Sequence, residues 1–420
     1  MAVIQSGRTP EESSQLQMQR TTIRGLILVI LVLVISSTFR RTNDYDSFLE
    51  AVSESRTAEA TVSHRSIKGK TTTSYTAGAS IQKKKQNLDL PYVPSAIESF
   101  IINNTVQLGW SPMPPALVDT CNIWTDPKIN PYHNELQTYV KEVETYYRKL
   151  HDFQLAPNVN KDLRRQIEDA SDQEDVCSTV DLGLKDIFGK SQQLTQTRSG
   201  FVEPLLPPMR HPGVCLEEGV TLDPAKFYIL MSLQYIVHDW AHICRKLKPT
   251  SRTVFIDMGA SLRFHGDIPS PVLTLLEQYR KMGIVFDHIY GYEMRQEDPN
   301  TVFAKLPPEY RANFHWINVG VNADPTHRHN PWNIILDHYN EDDFIVVKLD
   351  IDTPAIERPL AHQLLNDPRL VKLVDQFYYE HHVNQRELSR HWGHTAESVE
   401  QSFQFFTTLR KKGVASHFWV

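Results

Sequence analysis

Short apolar runs alternate with amphipathic stretches over the second half of the chain. Thr253 to Ile256 is such a run and ends on Asp257. The turn Met258-Gly259-Ala260-Ser261 and a loop follow, and Pro269 and Pro271 lead into an amphipathic helix over Val272–Met282. Val285 to Glu293 predicts a second strand, ending on Glu293. Asn313 to Val321 predicts a third, before a polar loop with Asp324, His327 and His329. Asp343 to Asp352 is the fourth and strongest strand. Val371 to Glu380 is the fifth, running into His381 and His382. Thr395 to Lys412 predicts a helix stopped by Gly413, and Val414 to Val420 a closing strand. Strands alternating with helices predict an α/β fold, a mostly parallel sheet with helices on both faces. The final helix-then-strand suits a last strand added antiparallel.

The first half is patterned differently. Ala225 to Lys246, opened by Asp223-Pro224, is apolar on most of its surface and predicts one long buried helix. It places His238 and His242 four apart on one face. No glutamate lies between them and no third ligand is evident, so they are expected to be structural. Residues 91–222 predict an α-helical cap on the sheet domain of 223–420. His133 to Phe153 carries apolar residues at helical spacing, Lys161 to Ala170 continues as a second helix and Gly183 to Phe188 as a short third. Residues 189–225 hold several prolines and glycines and predict a long connection. Residues 25–35, GLILVILVLVI, form the only long run without a polar residue; residues 36–39 extend it to about 15, shorter than the ~20 residues of a typical span. It suits a thin early-secretory membrane, as an uncleaved signal anchor behind a cytoplasmic leader, residues 1–24. Residues 40–90 are rich in Ser, Thr, Lys and Ala and predict a disordered stem. The resulting expectation is a single-pass secretory-pathway protein, Golgi or ER, with its body in the lumen.

Composition changes this little. The 420 residues carry a net charge of −6, which argues against nucleic acid as partner. Cys121, Cys177, Cys215 and Cys244 show no C-x-x-C pair, so a structural zinc site is not expected. In a lumen they form one or two disulfides with unassigned pairing; otherwise they are buried thiols. Asn103-Asn104-Thr105 is a single glycosylation sequon.

The candidate chemistry lies where the strands end, since ligands of open parallel sheets bind beyond the carboxyl ends. Gly259 permits close backbone approach. Asp257 and Glu293 can accept hydrogen bonds from amino or hydroxyl groups. Ile256-Asp257-Met258-Gly259-Ala260-Ser261, Glu293 and Val347-Lys348-Leu349-Asp350-Ile351-Asp352 together resemble the motifs of the Rossmann-like, S-adenosylmethionine-dependent methyltransferases, specifically the FkbM-type group. The resemblance covers residues 250–420. It implies that Asp257, Gly259, Ala260 and Ser261 line the methionine end of S-adenosylmethionine, that Glu293 holds the ribose, and that Asp350 faces the methyl group or acceptor. Ser261, Asp352 and Thr353 stand where the family has Asn, Glu and Gly, and Arg263-Phe264-His265 replaces a later glycine. A hydroxyl acceptor also needs a base, for which Asp350, His381 and His382 are the candidates. A luminal site favours a sugar hydroxyl or carboxyl on glycans as the acceptor. Asp350 has an alternative role capping the helix Pro354–Leu365.

Two other readings stay open. Asp350-Ile351-Asp352 is also a D-x-D motif at a strand end, as in luminal glycosyltransferases that hold Mn²⁺ or Mg²⁺ on a nucleotide-sugar. The altered glycine turn instead motivates a non-catalytic methyltransferase-like protein.

Overall fold

The computed structural model describes residues 90–112, 116–156, 162–261 and 270–420. The expected leader, the anchor at 25–39, the stem up to residue 89 and most of the Arg263–Ser270 loop lie outside these residues.

Six strands form one all-parallel sheet. After a small antiparallel hairpin, β1 (Thr195–Thr197) and β2 (Gly200–Val202), come β3 (Thr253–Met258), β4 (His288–Tyr292), β5 (Phe314–Ile317), β6 (Phe344–Leu349), β7 (Gln376–Tyr379) and β8 (Ala415–Phe418). The order across the sheet is β5-β4-β3-β6-β7-β8. β3 therefore pairs with β4 on one side and β6 on the other, and the direction of winding switches between β3 and β6. All six residues of β3 and all six of β6 are buried, as befits strands covered on both faces. Helices flank the sheet, including Pro271–Lys281, Pro331–His338, Pro354–Asn366 and Val399–Lys412. The Rossmann-like α/β expectation agrees with this architecture.

Three expectations are corrected. β8 pairs with β7 in parallel, not antiparallel. Val399–Lys412 is a complete crossover helix between the two strands, with a Ser398–Gln401 capping box at its start and left-handed Gly413 at its end. Such a crossover returns the chain to the same end of the sheet. The fifth strand is short because Pro368–Leu373 is helical. The long helix over Ala225–Lys246 is broken: one turn at Phe227–Leu230, an irregular stretch, then Trp240–Lys246. Distant side chains claim the backbone groups that helix bonds would have used. The Tyr147 hydroxyl lies 2.5 Å from the carbonyls of both Leu233 and Ile236. Glu203 accepts the Val237 N–H, Tyr146 the His238 N–H, and Asp239 caps the last piece through the His242 N–H.

The helices expected near 133–153, 161–170 and 183–188 are present as His133–Leu155, Leu163–Asp169 and Leu184–Ile187. Both disulfides form, Cys121–Cys215 and Cys177–Cys244. The second joins Gln173–Thr179 to Trp240–Lys246, where the Gln173 amide also donates to the Cys244, Arg245 and Leu247 carbonyls. One hydrophobic core runs from Ile97 to Val420. Arg410, fully buried, pins its two ends together: it bonds Glu98 at 3.0 Å, Glu203 at 3.2 Å and the Ser416 carbonyl, while His417 also reaches Glu203.

At the amino end of the sheet each of three strands is preceded by an acid. Asp287, before β4, accepts the Thr253 N–H and pairs with Arg164. Asp343, before β6, accepts the Arg252 N–H and pairs with its guanidinium. Asp375, before β7, accepts the Ile345 N–H and pairs with Lys246. Each carboxylate thus satisfies a neighbouring strand's leading N–H, which otherwise lacks a partner.

Candidate functional site

At the carboxyl end the ladder continues one residue past each strand. Glu293 donates its N–H to Ile317, Asp350 to Met258, Glu380 to Leu349 and Trp419 to Tyr379. This fixes three acids and an indole in a row at the strand tips. Above them lies a cavity of about 450 Å³, within the usual range of small-molecule sites.

The half of the cavity beside β3 and β4 is lined by Gly259, Ser261, Tyr292, Glu293 and the Val319–Val321 segment. Gly259 has φ +96°, and a Cβ there would stand 1.6 Å from the Asp350 carbonyl oxygen. Glycine is therefore required by the neighbouring strand tip as well as by the turn. Asp257 and Ala260 are buried behind this wall. Asp257 pairs at 3.0 Å with Lys348, whose ammonium also donates to the Gly259 carbonyl at 2.9 Å. The Asp257 carboxylate thus braces the glycine turn through Lys348 and is not among the residues lining the cavity.

The half beside β6 and β7 is charged and aromatic. Asp350 Oδ2 receives Lys348 at 3.2 Å and the Trp419 indole N–H at 3.1 Å, so it does not cap the following helix. Arg210 pairs with Glu380 Oε1, which the Trp392 indole also reaches at 3.0 Å. His382 stacks on Trp392 and lies 3.1 Å from Glu380 Oε2. Asp352, with φ +52° and a side chain 87% exposed, lines the opening. His381 points elsewhere: buried and stacked on Tyr379, it bonds Ser402 and faces Glu397.

Burial sets the protonation of this half. It pushes the Asp350 carboxyl well above the carboxylate range; Lys348 opposes, while contact with Glu380 and the charge of Asp352 add to the rise. Glu380 is also buried, yet Arg210 and His382 outweigh that and keep it ionised. Burial alone would lower His382, but Glu380, Glu357 and Asp352 raise it. Lys348 likewise stays charged, since Asp257 and Asp350 overcome its burial. With Asp350 raised and Glu380 held low, the two form an asymmetric carboxyl pair in which a proton prefers Asp350 and the negative charge Glu380.

The fold brings Gly259, Ser261, Glu293 and Asp350 to one cavity, with His382 beside it through Glu380. It separates His381 from them. The sequence reading assigned no site role to Arg210, Lys348, Glu380, Trp392 or Trp419. Lys348 carried a signal, a lone cation in an otherwise apolar strand. Arg210 carried none, since it lies in an irregular segment far from Glu380 in sequence. Compared with protein-family models, with curated proteins and with solved structures, the chain matches none of them.

Proposed function

We propose that the protein is an S-adenosylmethionine-dependent O-methyltransferase. The supporting observation is the pairing of the Gly259 turn with Glu293 on one wall of a cavity at the sheet's switch point, where open α/β sheets hold nucleoside ligands. Glu293 is positioned for the ribose hydroxyls, and Ser261 and the Gly259 backbone for the methionine end. Bound there, the cofactor supplies an electrophilic methyl group for in-line displacement. The residues at β6 and β7 orient the acceptor, and Asp350, which lines the cavity and whose proton affinity burial raises, accepts its proton. Of the expected base candidates Asp350 lines the cavity, His382 sits behind Glu380, and His381 faces Ser402 and Glu397. Two disulfides favour an oxidising compartment, which is compatible with the signal anchor expected from the sequence, a luminal body in the Golgi or ER, and a glycan hydroxyl as acceptor.

Calorimetric titration with S-adenosylmethionine or its demethylated product tests the reading. Binding that weakens at least about tenfold in Glu293→Ala is expected, the loss of hydrogen bonds worth roughly 1.4 kcal/mol or more. No binding of either, or metal-dependent binding of a nucleotide-sugar instead, would overturn it.

A further inference from the structure

Asp352, Glu380 and His382 each offer one ligand atom, and the three atoms lie within 4.8 Å of one another. Glu380 Oε2 is 3.1 Å from His382 Nε2, and Asp352 Oδ1 is 3.9 Å from the same nitrogen. Ligands bonded at about 2.1 Å to one octahedral ion stand roughly 3 Å apart when adjacent and about 4 Å when opposite. The spacing therefore suits a shared ion without backbone movement. Glu380 is oriented for this: Arg210 and Trp392 occupy Oε1 and leave Oε2 toward His382, the outer support that metal-binding carboxylates have. Asp352 enters from the solvent side and can adjust freely.

A separate observation points the same way. Glu357 is fully buried and uses Oε1 to accept the Ile351 N–H at 2.8 Å, while Oε2 has no hydrogen-bond partner. The charges of His382 and Glu380 both act on this carboxyl. A carboxylate oxygen buried without a donor is stabilised by a nearby positive charge.

We propose that Asp352, Glu380 and His382 bind one divalent cation of the Mn²⁺ or Mg²⁺ class. Two carboxylates select a hard ion and the imidazole widens the choice toward Mn²⁺. Three protein ligands leave coordination positions open to the cavity. Resting on the methyltransferase reading, the ion there holds a pair of acceptor oxygens, as in a vicinal diol, beside the methyl donor.

The test uses the full-length protein, freed of metal by chelation and titrated with Mn²⁺ while electron paramagnetic resonance follows the free ion. One equivalent is expected to bind, with affinity falling about tenfold or more in both Asp352→Asn and His382→Ala. Asp352→Asn changes an exposed side chain, so its folding is secure even if His382→Ala is unstable. Absence of saturable binding, or binding that Asp352→Asn leaves unchanged, overturns the site. S-adenosylmethionine is titrated separately into metal-free protein. Mn²⁺ binding without cofactor binding would sink methyl transfer and keep the metal site; cofactor binding without Mn²⁺ binding would do the reverse.

Discussion

Three strands, β4, β6 and β7, carry an acid at both ends: Asp287 and Glu293, Asp343 and Asp350, Asp375 and Glu380. At the amino end each acid has its own cation and a backbone N–H from the next strand. At the carboxyl end all three face a cavity; Glu293 accepts the Arg295 N–H, while Asp350 and Glu380 press on one another and pair with Lys348 and Arg210. One arrangement fastens the sheet; the other holds charge ready for a ligand. The residue type is common to both, so the partners decide the role.

The largest expected effect lies at the carboxyl end. Gly259→Ala forces a Cβ into the Asp350 carbonyl at a positive φ and should cost about 4 kcal/mol or more in denaturant unfolding. A cost under 1 kcal/mol would mean that the two strand tips are not locked together. Next is Asp375→Asn, which removes the partner of Lys246 and weakens the Ile345 cap. About 3 kcal/mol should be lost while affinity for the proposed cofactor stays unchanged. An altered affinity would erase the division between the ends.

The ends should also answer pH with opposite signs. Burial pushes Glu357, beside the cavity, up to about 6 from 4.5. The folded state then holds that proton more tightly than the unfolded one. Its stability contribution is present below about pH 4.5 and lost as pH rises to about 6. In chelated buffer Glu357→Gln should gain up to about 2 kcal/mol at neutral pH and nothing in acid. Asp343, at the amino end, is held below 3.8 because Arg252 and two backbone N–H groups outweigh its burial. Asp343→Asn should cost about 1 kcal/mol at neutral pH, a difference that fades as pH falls below 3.8. Parallel pH profiles for the two variants would contradict the contrast. The smallest effect is that of Asp352→Asn, whose side chain is exposed and whose left-handed backbone Asn tolerates. Its melting temperature should match the parent's, a change within about 0.5 kcal/mol.

The strands were legible because each is an apolar run bounded by acids and turns. β3 and β6 follow the predicted starts closely, and Gly259, Glu293 and Asp350 fall at the tips where the pattern puts them. The direction of β8 was not read correctly, although the predicted helix over 395–412 already supplied a parallel crossover. The broken helix near Leu233 was out of reach, because tyrosines some 90 residues earlier take its backbone groups. The same limit hid half of the site. Arg210 meets Glu380 across 170 residues, a contact made by the fold and not by local pattern.

The buried Arg410 constrains how this chain can change over generations. Removing Glu98, Glu203 or Arg410 singly strands a charge in the interior at a cost of about 3–5 kcal/mol, enough to consume much of an ordinary domain's stability. Replacing all three with well-packed apolar residues is often neutral. Two viable states are thus separated by unfit intermediates. Descendants of this sequence are expected to keep the trio whole or exchange it as a set, so these positions should covary although they stand more than 300 residues apart at the extremes.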